Sequence, residues 1–370
     1  MQQSTNDFAA AVRGGAQYAS RACIFLGDKL MEDTFYGGDS LKLLTNGSSV
    51  TYDRLSDTRS TADLRFMLET PDADYLLDPT RFPEVCVYSG IVFGSEIEWI
   101  EMGRFPVHTT VFERKAGLVA QCMTTDRSAR IRDNSWRKPF QIASGSDYYA
   151  GMRSVVADRA KGFTPTYNHG SSSLTTPAMT FAETEDPWAV VLRLAESVGA
   201  EAYFDRQGGF AAFPIPDPKL EPPAVRLGPD SGIQISPITR EVSNREVYNG
   251  VICRAEASWL LFPVSAEVWD EDPLSPSYRY GSFGEKPKVI GNSLATTTGQ
   301  CLDAATAEFR KIAGVSEIIS FQKIKDPRLE VGDIIEQLDD TLKITGRYVL
   351  DTYNYPLGVG NASGIVRRKR

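Results

Sequence analysis

The sequence predicts a mixed, mainly β protein in which two antiparallel, β-rich regions flank an α+β region. Short apolar or alternating runs recur about every ten residues near both ends of the chain, separated by polar turns, as in a sandwich or barrel. Helical periodicity is concentrated between these regions. A proline-rich connector, Pro214 to Pro223, marks a boundary, and 370 residues suffice for two or three domains.

The predicted domains follow these changes in composition. We expect an N-terminal segment at 1–19, a first β-rich domain at 20–125, an α+β domain at 126–223, a second β-rich domain at 224–355 and a C-terminal tail at 356–370. The N-terminal segment contains one amphipathic helix, capped near Asn6 or Asp7, with Phe8 and Val12 on its inward side.

The first β-rich domain contains seven runs typical of strands. They are Arg21 to Leu26, Ser49 to Tyr52, Ala62 to Leu68, Val85 to Phe93, Ile97 to Met102, Val107 to Phe112 and Leu118 to Thr124. In one of them Leu64, Phe66 and Leu68 alternate with Arg65 and Met67, so one face of that strand is expected to be buried. This pattern favours a closed or two-layer sheet.

Two helices are predicted in the α+β domain. The first covers Asp147 to Ala160, where apolar residues recur at helical spacing. The second covers Asp186 to Val198, with Asp186 as the N-cap, Pro187 at the first helical position and Gly199 as the stop.

A hairpin and an exposed loop complete this domain. Two short strands, Glu201 to Asp205 and Phe210 to Phe213, surround a glycine-rich turn, and the polar stretch Tyr167 to Pro177 is expected to be a surface loop. In the second β-rich domain one helix, Ser293 to Ala313 with Gly314 as its cap, interrupts the strands. Those strands are Glu246 to Ala255, Trp259 to Trp269, Val315 to Lys323, Asp333 to Leu338 and Leu342 to Tyr355.

Composition excludes several kinds of function. The 40 basic and 48 acidic side chains give a net charge of −8, which is the wrong sign for a protein that grips nucleic acid through its phosphates. Two histidines offer little material for histidine-based catalysis. Neither an export signal nor a membrane-spanning run is expected. The five cysteines form no C-x-x-C pair, which predicts buried free thiols in a protein made in a reducing cytoplasm.

No motif indicates a nucleotide or nucleophile site. A Walker loop and a G-x-S-x-G elbow are absent from the sequence. The stretch Gly358 to Gly364 approximates a dinucleotide fingerprint, but its third glycine falls one place late and no helix is predicted after it, so we expect a flexible tail. His169 beside Ser171 and Ser173 is typical of a polar loop rather than of a catalytic triad.

The charged clusters have economical structural explanations. Asp270 to Asp272 lacks the EF-hand register and is expected to form a solvated acidic turn. Glu183, Glu185 and Asp186 could serve a glycosidase, but they also complement the dipole of the following helix. The basic end, Arg367 to Arg370, could contact DNA or an acidic partner, and a solvated tail is the favoured interpretation. We therefore predict no catalytic residue, no cofactor and no metal ligand.

Several strings, taken in order, resemble a known family. In the first half they are Asp53 to Leu64, Leu77 to Pro79, Glu84 to Gly90, Met102 to Val107 and Thr125 to Ser128. In the second half they are Val247 to Ile252, Asp270 to Pro276, Gly281 to Gly284 and Asp326 to Ile335. They resemble the tail hub and distal tail-tip proteins, also called baseplate hub or minor tail proteins, of long-tailed actinobacterial phages.

The resemblance implies a structural virion protein without enzymatic activity. It implies a homotrimer at the distal end of a phage tail, in which two β-barrel-like domains per chain form six similar units around a channel. The domain at 126–223 would lie outside this ring. Its partners would be the distal tail protein, the tape-measure protein and the tip or receptor-binding proteins, and genome DNA would pass without specific binding. The chain would be made in the host cytoplasm and reside at the tail tip.

Six residues of these strings are predicted to shape turns or to lead into strands. They are Arg59, Asp126, Arg127, Asn249, Gly332 and Asp333. Gly332-Asp333 suits a tight reversal into the next strand, whereas Asn249-Gly250 fits a hairpin turn or a bulge. None of these residues needs a substrate.

Two other functions remain open from the residues alone. One is a hydrolase that uses paired carboxylates on cell-wall polysaccharide or peptide. The other is a carbohydrate-binding β-sandwich in which Trp136, Trp259 and Trp269 offer stacking faces, although such aromatic residues are more often core or interface residues.

Overall fold

The computed structural model describes residues 1–370 except 115–116, 217, 219, 229–230, 232–233, 244–246, 257–263, 293–294, 313–315 and 370. Its α-helices are α1 (Asn6–Gly14), α2 (Ser128–Asp133), α3 (Tyr148–Arg159), α4 (Pro187–Ser197) and α5 (Thr298–Ile312). Strands of the first β-rich region are β1 (Tyr18–Leu26), β2 (Lys29–Asp33), β3 (Leu41–Asp53), β4 (Ser60–Leu68), β5 (Pro83–Phe93), β6 (Glu96–Arg114) and β7 (Leu118–Thr125).

The remaining strands belong to the middle and second β-rich regions. Those of the middle region are β8 (Phe140–Ile142), β9 (Tyr167–His169), β10 (Met179–Phe181), β11 (Ala200–Phe204) and β12 (Phe210–Pro214). Those of the second β-rich region are β13 (Val225–Leu227), β14 (Gln234–Ser243), β15 (Gly250–Ala255), β16 (Ser265–Trp269), β17 (Pro287–Asn292), β18 (Ser316–Lys323), β19 (Ile334–Asp339), β20 (Ile344–Pro356) and β21 (Ala362–Lys369).

Strands from both β-rich regions join in one large, mainly antiparallel sheet. Its path is β14-β18-β21-β20-β3-β4-β7-β6-β5-β1-β2, and β19 pairs with β20 and β13. The two regions meet where β20 lies antiparallel to β3, with Tyr353 opposite Tyr52; we call this pairing the seam. The strands that the structure describes form an open path. The mainly β prediction is therefore confirmed, while the arrangement as two barrels is not.

One apolar core lies on the inner side of this sheet and crosses the seam. Leu64 and Phe66 are fully buried whereas Arg65 between them is exposed, which confirms the predicted alternation. Tyr353 and Tyr355 reach the same core from the second β-rich region. Because burying a large apolar side chain contributes roughly 1.5–3 kcal/mol, the two regions share a major source of stability. The domain boundaries themselves remain predictions.

The middle region has a core of its own, in which α3 packs on α4 and α4 on β11. The Asp186 carboxylate accepts hydrogen bonds from the backbone N–H groups of Trp188 and Ala189 at 2.8 and 3.3 Å, which confirms the predicted N-cap. Gly199 follows with φ +64°, a conformation that favours glycine. The loop predicted for Tyr167 to Pro177 is wrong at its start, because β9 pairs in parallel with β12.

A smaller layer interrupts the second β-rich region between β14 and β18. Here β15 lies between β16 and β17, and α5 packs on β15 and β16 around the buried Cys253 and Cys301. Helix α5 confirms most of the predicted helix. The predicted cap Gly314 and the aromatic candidate Trp259 lie outside the described residues.

The prediction of a flexible, solvated C-terminal tail is wrong. Residues 362–369 form β21, which lies between β18 and β20. Arg367 pairs with the buried Asp351 at 3.0 Å, and Arg368 pairs with the buried Glu317 at 2.7 Å. Gly364 lies against Phe321, whose ring would be 2.7 Å from a Cβ at that position. The small inward residues Ala362 and Gly364, together with the arginines at the end of the strand, concealed the strand pattern in the sequence.

Several smaller predictions are also settled. All five cysteines are buried free thiols, as expected. Ile97 to Met102 and Val107 to Phe112 are parts of one strand, β6, rather than two. Over the described ranges, no helix has the length and apolar character needed to span a membrane.

Candidate functional site at the junction of the middle region and the sheet

Asp126 links the end of β7 to the middle region. Its buried carboxylate accepts hydrogen bonds from the backbone N–H groups of Ser60 at 3.0 Å and Ser128 at 2.9 Å. The Asp126 N–H donates to the Ser60 carbonyl oxygen at 2.9 Å. Burial raises the pKa of Asp126, and the hydrogen bonds oppose this rise. The aspartate thus holds the start of β4 against the start of α2.

Arg127 continues this attachment into the middle region. Its buried guanidinium forms a two-point ion pair with Glu84, with N–O distances of 3.1 and 2.7 Å, and donates to the Gly208 carbonyl oxygen at 2.7 Å. Gly208 lies in the turn between β11 and β12. Burial alone would raise the pKa of Glu84, but Arg127, Arg130 and Arg104 lower it. One buried carboxylate is therefore shared by arginines of the sheet and the middle region.

Arg59 forms a second attachment. It donates to the Val331 carbonyl oxygen at 2.7 Å and pairs with Glu201 of β11 at 3.2 Å. Its guanidinium carbon lies 3.8 Å from the ring centre of Tyr203. Gly332 has φ +95°, and a Cβ there would lie 3.2 Å from the Arg59 Nη2 atom. One arginine therefore joins both β-rich regions to the middle region.

Asp333 closes the turn that precedes β19. Its carboxylate accepts a hydrogen bond from the Glu330 N–H at 2.8 Å. The Gly332 N–H donates to the Leu350 carbonyl oxygen at 2.8 Å, and the Leu350 N–H donates to the Asp333 carbonyl oxygen at 2.9 Å. Burial raises the pKa of Asp333. These bonds place the turn directly beside Arg59.

Arg206 is a junction residue that the sequence analysis missed. It lies at the tip of the β11–β12 hairpin, yet its side chain is 5% exposed. Its guanidinium donates to the carbonyl oxygens of Pro327 and Leu329 and lies 4.7 Å from the ring centre of Tyr52. The side chain at the hairpin tip thus contacts the large sheet close to the seam. A glycine-rich turn normally indicates a surface position, so the local sequence held no signal for this role.

Glu101 is a titratable group among these arginines. Burial raises its pKa to about 7, with Arg104 lowering it and the nearby Asp205 raising it further. Arg127 and Arg206 also lower the pKa of Glu101. The junction therefore contains a carboxyl group, that of Glu101, whose pKa lies near neutral pH.

Asn249 lies apart from the junction and organises a long surface loop. Its buried amide donates to the carbonyl oxygens of Ser277 and Gly284 at 3.0 and 2.5 Å, and its side-chain oxygen accepts from the Lys286 N–H at 2.7 Å. Gly250 begins β15, and a Cβ there would meet the ring of Trp269. Asn249-Gly250 therefore leads into a strand and does not form a hairpin turn.

The acidic candidates for catalysis make structural contacts. Glu185 accepts a hydrogen bond from the Ala182 N–H at 2.9 Å and pairs with Arg193. Asp186 caps α4, and Glu183 is exposed. Asp270 accepts hydrogen bonds from two serine hydroxyls of its own loop, at 2.5 and 2.6 Å. Within the described residues, no group of three or more His, Cys, Asp or Glu side chains could hold a metal ion.

The remaining candidates also lie in structural surroundings. Trp136 is 5% exposed and stacks on Phe140 with ring centres 5.3 Å apart. The guanidinium of Arg279 covers the ring of Trp269 at 4.2 Å. His169 stacks against Tyr149, with ring centres 6.2 Å apart. Neither Trp136 nor Trp269 therefore presents a free face on which a sugar ring could stack.

A cleft of about 1240 Å³ lies between the middle region, α5 and the sheet. Its charged walls pair with one another: Arg54 contacts Glu201 at 2.5 Å and Asp351 at 3.1 Å, while Arg367 contacts Asp351. Phe309 of α5 adds an apolar wall. The cleft therefore combines charges of both signs with apolar surface and presents no single ligand chemistry.

Three solved structures resemble this chain over almost its whole length. The 43 kDa tail protein of prophage MuSo2 from Shewanella oneidensis has a TM-score of 0.61 at 13% identity, with 95% of this chain and 98% of that chain covered. A tail protein from Neisseria meningitidis MC58 scores 0.62 at 13% identity, with 94% and 96% covered. The prophage tail protein gp18 from Listeria monocytogenes EGD-e scores 0.60 at 9% identity, with 95% and 94% covered.

These similarities concern the fold. No protein-family model matches the sequence, and no curated protein matches it. The chain has the fold of these tail proteins, including both β-rich regions and the middle region.

Proposed function

We propose that this protein is a structural virion protein that forms a trimeric hub ring at the distal end of a phage tail. The similarity of fold to three tail proteins, across at least 94% of every chain compared, carries the proposal. It is a similarity of the whole architecture rather than of one common sheet motif. From the sequence resemblance we also propose that the protein comes from a long-tailed actinobacterial phage.

In this proposal the regions at 20–125 and 224–355 act as the two ring-forming domains of each chain. Three copies would supply six such units and would convert a sixfold tube into a threefold tip. The middle region, at 126–223, would lie outside the ring and bind neighbouring tail proteins. The distal tail protein, the tape-measure protein and the tip or receptor-binding proteins are the proposed partners.

The proposal assigns no catalytic activity. Glu185 and Asp186 support this assignment because their carboxylates stabilise backbone and arginine groups around α4. The net charge of −8 supports passage of DNA without retention, since a protein holds DNA by neutralising phosphates with cations.

Light scattering of the purified chain tests the ring. We expect a particle of about 122 kDa, three times the 40.8 kDa chain. A monomer that persists at micromolar concentration would contradict the trimer. Release of soluble fragments from purified cell wall, abolished by Glu183→Gln or Glu185→Gln, would favour the hydrolase instead.

A further inference from the structure

The two β-rich regions share one order of strands. In the large sheet the first region pairs its strands in the order β3-β4-β7-β6-β5, and the second pairs its strands in the order β14-β18-β21-β20-β19. Every neighbouring pair in both orders is antiparallel. Each strand therefore has a counterpart at the same place in the other region: β3 and β14, β4 and β18, β5 and β19, β6 and β20, and β7 and β21.

The correspondence extends to single residues of β6 and β20. The pairing of β6 with β7 skips His108, and the pairing of β20 with β21 skips Asp351, so a β-bulge lies at the same place in both strands. On the other edge, the pairing with β5 or β19 stops two residues before the skipped one in each case. Counted from the bulge, Phe112 of β6 therefore corresponds to Tyr355 of β20.

The loops that precede β5 and β19 contact corresponding positions. The Leu77 carbonyl oxygen accepts a hydrogen bond from the Thr110 hydroxyl at 2.6 Å, and the Asp326 carbonyl oxygen accepts one from the Tyr353 hydroxyl at 3.0 Å. Thr110 and Tyr353 each lie two residues after the bulge. The loop at Asp326 leaves β20 free to pair with β3, so the matching loop at Leu77 should leave the same edge of β6 free.

Strands β3 and β14 correspond in the same way. Starting at the residue after the bulge, direct cross-strand partners lead from Thr109 through β7 and β4 to Ser49 of β3. In the second region they lead from Thr352 through β21 and β18 to Thr239 of β14. Ser49 therefore corresponds to Thr239, and the residues that follow each of them correspond in order.

The two regions differ in what pairs with the outer edges of these strands. The last part of β20, from Thr352 to Pro356, pairs with β3 at the seam. Within the described residues, the matching part of β6 pairs with β7 alone, and β14, the counterpart of β3, pairs with β18 alone. One chain thus contains a complete seam and, on two separate edges, the two halves of a second seam.

Apolar side chains on these two edges are exposed although they point to the core side of the sheet. Phe112 lies opposite the fully buried Ala120 of β7, and Val242 lies opposite a fully buried residue of β18. Phe112 is 41% exposed and Val242 is 51% exposed, whereas their counterparts at the seam, Tyr355 and Tyr52, are 0% and 4% exposed. A strand added along each edge would remove both side chains from water.

We propose that the part of β6 beyond the bulge pairs antiparallel with β14 of a neighbouring copy of this chain. The seam sets the register, which places Val111 opposite Glu241 and Phe112 opposite Arg240 of the neighbouring copy. Pro237, which cannot donate a backbone hydrogen bond, falls outside the paired residues. This inference rests on the proposed function, because a contact between unlike edges closes only when it repeats around a ring axis. In a ring of three chains, three seams and three such contacts would alternate.

Disulfide cross-linking tests the register. Val111→Cys/Glu241→Cys replaces two exposed side chains that the proposal places directly opposite each other on neighbouring copies. Directly opposite residues of an antiparallel pair have Cα atoms about 4.5–5.5 Å apart, which a disulfide can span. With oxidised glutathione as the oxidant, we expect a covalent trimer of about 122 kDa on a denaturing gel, three times the 40.8 kDa chain.

Two matched double variants control this experiment. Asn354→Cys/Thr51→Cys occupies the counterpart positions of the seam, where the native side chains are hydrogen-bonded at 3.0 Å, and should close a disulfide within one chain. Val111→Cys/Thr239→Cys moves one thiol by two residues, to a diagonal position about 7–8 Å away. It should yield at least tenfold less cross-linked chain. The five native cysteines are buried and give little background.

A charge at the proposed contact tests its contribution to assembly. Phe112→Lys places a cation on the edge that would be buried, opposite Arg240 of the neighbouring copy. We expect the concentration at which half of the trimer dissociates to rise at least tenfold, with an unchanged circular dichroism spectrum. Val289→Lys is the matched control, since Val289 is 54% exposed on β17, away from both edges, and should leave that concentration unchanged.

The outcomes separate the inference from the function on which it rests. A monomer in light scattering would overturn the ring and the strand pairing together. A stable trimer in which Val111→Cys/Glu241→Cys cross-links no better than Val111→Cys/Thr239→Cys would overturn only the pairing. A trimer that Phe112→Lys leaves as stable as Val289→Lys does would also contradict the pairing. The cross-linking result holds even if Phe112→Lys fails to fold, because those variants replace exposed side chains.

Discussion

The seam and the junction join parts of the same molecule by different physical means. At the seam, β20 and β3 exchange backbone hydrogen bonds over a core that includes Tyr353 and Tyr355. At the junction, the guanidinium groups of Arg59, Arg127 and Arg206 carry much of the attachment by reaching carbonyl oxygens and carboxylates of another region.

This difference indicates which of the two connections should persist when the pH or the denaturant concentration changes. Apolar burial has no titratable component, so the seam should hold the two β-rich regions together over a wide range of pH. The junction depends on a few buried charges, and the loss of one partner leaves another charge or carbonyl group without compensation. We therefore expect the middle region to detach before the large sheet unfolds.

The largest effect is expected at the seam. Tyr353→Ala should lower the free energy of unfolding by roughly 3–5 kcal/mol, as for other large buried aromatic residues. Asn354→Ala, which alters the adjacent outward side chain, should change it by less than about 0.5 kcal/mol. Urea unfolding measures both values. Similar losses in the two variants would show that the seam is not supported by its core.

A somewhat smaller effect is expected at the junction. Arg206→Met removes a guanidinium that serves two buried carbonyl oxygens and should cost about 3 kcal/mol. Arg193→Met, which removes a partly exposed ion pair with Glu185, should cost less than about 1 kcal/mol. Hydrogen exchange should rise in β11 and β12 before it rises in β3 and β20. If exchange rose equally in all four strands, the junction and the seam would unfold as one cooperative unit, which would contradict the prediction.

A pH dependence should arise from Glu101. Its pKa of about 7 in the folded chain exceeds the ordinary value of 4.5, so the folded form keeps a proton that the unfolded form has lost. This contribution to stability is therefore lost as the pH rises from about 4.5 to about 7. Relative to Glu101→Gln, the free energy of unfolding of the unmodified chain should fall by about 3 kcal/mol across this window. Parallel profiles for the two proteins would contradict the assignment.

The smallest effect is expected in the loop that Asn249 organises. Asn249→Ala removes hydrogen bonds to Ser277, Gly284 and Lys286 and should cost about 1–2 kcal/mol. Asn361→Ala, at an exposed position, serves as the control. Hydrogen exchange should increase in residues 270–286 with little change in the large sheet. Unchanged exchange there would remove Asn249 from its organising role.

Local sequence specifies those features whose partners lie nearby in the chain, and not those whose partners lie far away. The alternation around Phe66 and the N-cap at Asp186 depend on neighbouring residues, so local sequence sufficed for both. The pairing of β20 with β3 joins residues about 300 positions apart, and nothing local specifies it. Arg206 could not be recognised because its partners come from Pro327 and Leu329.

The central proposal is that this chain is part of a phage tail, and immunogold electron microscopy tests it most directly. Virions released by cells that carry this sequence would be labelled with an antibody to the purified chain. We predict gold at the distal end of the tail. Labelling confined to soluble protein, with bare tails, would contradict the claim.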